Sequence, residues 1–147
     1  MKLLIILCLF VPSFAYTQND NTVLNENVKA IMPRVIEWRR HFHQNPELSN
    51  REYKTGAFVA DYLKSLGLEV KYPVAKTGVK AVLKGGKPGP VIAFRADMDA
   101  LPIREENGFS YISTTQGKMH ACGHDGHTTI GLGVAKLLSQ HREQIAG

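Results

Sequence analysis

The apolar residues of this 147-residue chain change their spacing at Gly67, and that change limits the folds open to it. Before Gly67 they recur every three or four positions. Leu24, Val28, Ile31, Val35, Trp38 and Phe42 form one run, and Thr55, Phe58, Val59, Tyr62, Leu63 and Leu66 a second. A period near 3.6 places such residues on one face of a helix. After Gly67, Leu68, Val70 and Tyr72 alternate with Glu69 and Lys71, as a half-buried strand requires. Val79 to Leu83 reads as another strand, and Val91-Ile92-Ala93-Phe94 is an unbroken apolar run, the pattern of a strand buried on both faces. A last helical stripe, Ile130, Val134, Leu137 and Leu138, falls within a helix expected from Asp125 to His141, with those four residues inward. Helices, then strands, then a helix predict an α/β fold with a central sheet flanked by helices.

Turn chemistry sets the boundaries. Pro33 interrupts the first stripe, so the firm helix is expected to start near it, with proline in the first turn, and to run to about His43 before Asn45-Pro46 stops it. Ser49 to Glu52 has the spacing of a capping box for the second helix, and Gly67 supplies its stop. Gly85 to Gly89 reads as a plain turn, lacking the spacing of a phosphate-binding loop. Residues 103–119 are polar and irregular.

The first fifteen residues read as a secretory signal. Lys2 precedes nine apolar residues, Leu3 to Val11, and small residues stand at the −3 and −1 positions of a cut after Ala15. Nine apolar residues are too few to span a bilayer, which takes about twenty in a helix, so no membrane association is expected once the signal is removed. Residues 16–27 are expected to be a flexible leader, and the destination secreted or periplasmic. Cys8 leaves with the signal, so Cys122 is the one cysteine of the mature chain and has no disulfide partner within it. The net charge of +5 comes from Lys and Arg scattered among acids, with no basic run beyond Arg39-Arg40, which argues against a nucleic-acid partner.

Two clusters carry chemistry. Arg95-Ala96-Asp97-Met98-Asp99 follows the expected buried strand, at the strand end where α/β sheets bind ligands. Its two carboxylates either both face a cation or divide into a ligand and an orienting group; an acidic turn paired with Arg95 and Arg104 is the structural alternative. His120-Ala121-Cys122-Gly123-His124-Asp125-Gly126-His127 brings a thiol, three imidazoles and a carboxylate to a helix entry. Thiolate and imidazole are the ligands that borderline-soft divalent metals prefer, and Gly123 can turn Cys122 and His124 towards one ion. Asp125 can cap the helix or hold an imidazole, and His127 can be ligand or support. A buried inert cysteine among surface histidines is the structural alternative. A Cys–His nucleophile is disfavoured because such pairs usually meet from distant segments. His41 and His43 close a helix, where imidazolium suits the dipole.

Three stretches, Arg39 to Ser49, Arg95 to Pro102 and His120 to His127, resemble in order the aminoacylase-type dinuclear metallopeptidase family. The resemblance is to its amidohydrolase branch: N-acyl-amino-acid amidohydrolase, hippurate hydrolase and indole-acetyl-amino-acid hydrolase. It implies a zinc-peptidase-like catalytic domain. Cys122 and His124 would be metal ligands, and Asp97 and Asp99 would match the catalytic segment that holds the ligand or orienting acid. One or two divalent ions, Zn²⁺ or Mn²⁺, would serve an N-acyl amino acid or small-peptide substrate, in a protein able to form a homodimer. The family's glutamate pair, further histidine ligands and inserted domain lie beyond the residues matched. The expectation is therefore that residues 28–147 are the N-terminal portion of a truncated catalytic domain, inactive alone. An exported dipeptidase or carboxypeptidase of the same family, and a non-enzymatic exported metal-binding module, are the alternatives.

Overall fold

The computed structural model describes residues 22–147. The expected signal, residues 1–15, and the first six residues of the expected leader lie outside them.

Helix α1 spans Thr22–Gln44, α2 Tyr53–Ser65, strand β1 Glu69–Val74, strand β2 Gly78–Val82 and α3 His124–Gln140, followed by a short 3₁₀ turn, Arg142–Gln144. The change of period at Gly67 is thus a change from helix to strand. Gly67 itself sits at φ +75°, a left-handed conformation that glycine adopts without a Cβ penalty.

The core lies where the three helices meet. Trp38 and Phe42 of α1, Val59 of α2 and Leu132 of α3 are buried together, with Ile31, Val35, Phe58, Tyr62 and Leu63 packed around them. Trp38 meets Tyr62 edge-on at 4.7 Å between ring centroids, and Phe42 meets Phe58 at 5.2 Å. Strands β1 and β2 form a two-stranded antiparallel hairpin, with Glu69 opposite Val82 and Lys71 opposite Lys80. Gly56 lets α2 approach it: a Cβ there would stand 2.6 Å from the Thr77 carbonyl oxygen. Among the described residues no helix is long and apolar enough to cross a membrane.

Several expectations are corrected. Helix α1 does not wait for Pro33 but begins at Thr22, and so takes in residues 22–27 of the expected leader. The ring of Pro33 is carried inside a helix whose apolar stripe continues on both sides of it. The carboxylate that caps α2 is Glu47, which accepts from the backbone N–H groups of Lys54 at 3.2 Å and Thr55 at 2.8 Å. Glu52 is itself the N-cap residue; its side chain is turned inward, where the buried Thr77 hydroxyl donates to it at 2.6 Å.

Val91 to Phe94 forms no strand, and Val91 and Ile92 are 95% and 86% exposed. A strand needs a neighbour for its ladder, and among the described residues none lies beside this run. Among the described residues the sheet is therefore the β1–β2 hairpin, packed against α2, within an α/β arrangement. On α3, Ile130 and Leu138 face outward, while Leu132, Gly133, Thr128 and Thr129 are buried.

Candidate metal centre

Residues 95–101 run without regular structure beneath the N-terminal end of α3. Their course is fixed at the far end by hydrogen bonds from Ala100 N–H to the Glu47 carbonyl and from Leu101 N–H to the Met119 carbonyl. At the near end the Thr128 hydroxyl lies 3.0 Å from the Asp97 carbonyl and 2.9 Å from that of His124. Gly123 turns the chain into α3 at φ +78°, and its carbonyl accepts the first helical bonds, from Gly126 and His127 N–H. The turn presents His124 and His127, one helical turn apart, with their rings stacked at 5.1 Å.

Asp97, His124 and His127 each bring one ligand-type atom to a common point, and all three atoms lie within 4.8 Å of one another. A divalent ion holds carboxylate and imidazole donors at about 2.0–2.2 Å, so neighbouring tetrahedral ligands stand roughly 3.4 Å apart. The separation of His127 Nδ1 from Asp97 Oδ2, 3.6 Å, is already near that value. These donors therefore fit a divalent cation.

Asp97 and Asp99 divide the work. His124 Nδ1–H donates to Asp99 Oδ1 at 2.8 Å and to the Asp99 carbonyl at 3.0 Å. That fixes the tautomer and leaves the Nε2 lone pair free. Asp99 is thus the acid that holds the His124 ring, and Asp97 lies in the cluster of ligand-type atoms. The Arg95 guanidinium bonds Asp97 Oδ1 at 2.9 Å and, as the leading cause, holds that carboxyl below its ordinary pKa.

Cys122 stands outside the three-donor cluster, exposed on the turn before α3, and His127 occupies the third position. Asp125 takes a backbone N–H in the first turn of α3 and makes no hydrogen bond to the His124 ring, which Asp99 holds. It is buried, bonds the Gly126 N–H at 2.9 Å, and receives His43 Nδ1–H at 2.7 Å and Arg39 Nε–H at 3.2 Å.

Beneath the cluster lies a set of residues that sequence spacing did not group. His43 Nε2–H donates to Glu105 Oε1 at 2.9 Å, and Glu105 also receives the Ser113 N–H at 2.6 Å and Asn107 at 2.9 Å. Burial alone would raise the Glu105 carboxyl, but these bonds together outweigh it and its pKa is lowered. His120 is buried beside His43, 6.5 Å between rings, and neither of its nitrogens has a partner within the protein. Burial pushes its pKa down, favouring the neutral ring, and Asp125 partly opposes this. No sequence signal links residues 43, 105 and 125; only the capping and turn residues around each were readable.

A portion of an α/β domain that carries a candidate site for a divalent cation is what this fold and site define. Residues 93–147 match the model of peptidase family M20/M25/M40. The chain is 55% identical over 121 residues to the N-acyl-L-amino acid amidohydrolase of Geobacillus stearothermophilus, covering 82% of this chain and 32% of that one. It is 46% identical over 125 residues to thermostable carboxypeptidase 2 of Saccharolobus solfataricus, covering 84% and 32%. The crystal structure of the Bacillus subtilis YXEP protein, described as a dinuclear metal binding peptidase from the M20 family, superposes with a TM-score of 0.76 at 46% identity over 81% of this chain and 34% of that one. The chain is thus similar to this peptidase family, to amidohydrolases and carboxypeptidases alike, and it spans about a third of the length of the relatives it matches.

Proposed function

We propose that the chain supplies the N-terminal, metal-binding portion of a metal-dependent amidohydrolase that cleaves the amide bond of N-acyl amino acids or small peptides. The observation that carries the reading is the convergence of Asp97, His124 and His127 with Asp99 on the back of His124, inside the segment matched to the family. When bound, the ion, Zn²⁺ or Mn²⁺, supplies Lewis acidity toward an amide carbonyl and lowers the pKa of a bound water. The chain's own residues would hold that ion: His124 through the nitrogen that Asp99 leaves free, Asp97 through the oxygen that Arg95 does not bind, and His127 beside them. Cys122, joined to His124 through Gly123 but outside that cluster, would bring a thiolate, which suits zinc, in a second donor set.

A zinc competition titration of the chain and its variants tests this. Asp97→Asn and His124→Gln each weaken binding at least about tenfold, the loss of one direct ligand; unchanged affinity in both ends the proposal. Cys122→Ser separates two donor sets, since loss of affinity places the thiolate on the ion, and none leaves the ion to Asp97, His124 and His127. For the activity, the intact gene product is assayed on N-acyl amino acids against dipeptides, with metal removed and restored. Preference for dipeptides would favour the carboxypeptidase reading, for which the likeness to the Saccharolobus solfataricus enzyme speaks. The signal-like first fifteen residues support export to the periplasm or medium, checked by N-terminal sequencing of the mature protein. A homodimer of the intact product is part of the same reading.

A further inference from the structure

We propose that His43 is a positioning residue for the metal centre, holding the first turn of α3 through Asp125 so that His124 and His127 face Asp97. The inference rests on the metal-binding reading above. His43 is almost wholly buried at the C-terminal end of α1, and both of its ring nitrogens meet carboxylate oxygens, Asp125 at 2.7 Å and Glu105 at 2.9 Å. Carboxylate oxygens are strong acceptors, so the ring is held at both nitrogens, one towards each acid.

Three segments meet on it: α1, the irregular stretch 103–119 through Glu105, and the entry of α3 through Asp125. That entry is also held by His124 on Asp99 and by Thr128 on the Asp97 carbonyl. A Cβ placed on Gly123 or on Gly126 would find nothing within 4 Å, so the turn is open on the sides those two positions face. Asp125 restrains it from within, since one of its oxygens takes the Gly126 N–H and the other takes His43 and Arg39. A buried ion triad of this kind gives little net stability over an apolar replacement of the same shape. What it gives is one defined orientation of the turn that carries both histidine donors.

The test compares His43→Asn with Val59→Ala, which loosens the core without touching the triad. Histidine side-chain ¹⁵N spectra of the metal-free chain report His124 and His127 directly, and zinc titration reports the assembled site. In His43→Asn the His124 and His127 signals shift or broaden and zinc affinity falls about tenfold or more, within the range for residues behind metal ligands. In Val59→Ala both readouts stay as in the wild type. Unmoved His124 and His127 signals in His43→Asn overturn the proposal. A wild-type chain that binds no zinc would sink the metal reading, while the metal-free spectra still decide the role of His43. Should His43→Asn not fold, Glu105→Gln, which removes only the charge at Nε2, is read by the same spectra.

Discussion

At His124 the two ring nitrogens have different surroundings: Nδ1 is committed to Asp99, and Nε2 is left with its lone pair. Asp99→Ala frees the ring to rotate and to change tautomer, so zinc affinity is expected to fall by about ten- to a hundred-fold with the fold unchanged by circular dichroism. Glu105 makes a second prediction, about pH. Its folded pKa lies below the ordinary 4.5, so the folded state binds fewer protons than the unfolded one near that pH. The stability it contributes is present above about pH 4.5 and is lost as pH falls through the folded value. Urea unfolding of wild type and Glu105→Gln should differ most near neutrality and converge as the pH is lowered below 4.5.

Among the elements, α2 and the hairpin depend on a missing side chain. Alanine is the better helix former by about 1 kcal/mol, so Gly56→Ala would stabilise an isolated α2. In the folded chain its methyl would meet the Thr77 carbonyl at 2.6 Å and the Tyr72 ring at 2.9 Å. Overpacking of that kind costs about 1–3 kcal/mol, so the variant is expected to be net destabilised, seen as a lower urea midpoint. A midpoint at or above wild type would mean that the hairpin is free to move away from α2. Helix α1 shows the opposite balance: Pro33 forfeits one backbone bond, yet Ile31, Val35, Trp38 and Phe42 keep the helix on the core across it.

For the molecule as a whole, the stretch 91–94 is the exposed liability. Val91, Ile92 and Phe94 are apolar and exposed, with backbone groups that no strand among the described residues pairs. Unpaired apolar backbone of this kind invites edge-to-edge association. The isolated chain is expected to self-associate with rising concentration in sedimentation velocity, and Ile92→Lys to reduce it.

Gly67, Gly123, Asn45-Pro46 and the two helical stripes were legible in the sequence because each acts within a turn or two of chain. The ligand-type side chains at 97–99 and 120–127 were visible there too, since side-chain identity needs no coordinates. The tertiary structure alone decided the rest. Whether Val91 to Phe94 is a strand depends on a neighbour that residues 91–94 do not contain. Which of Asp97 and Asp99 bonds the His124 ring depended on a contact across 25 residues, and Asp99 makes it. The burial of His43 between Glu105 and Asp125 joins positions 62 and 82 residues from it. Spacing along a chain encodes local hydrogen bonding and which face a residue occupies. Electrostatic partnership over such separations exists only once packing has removed water and brought the charges together.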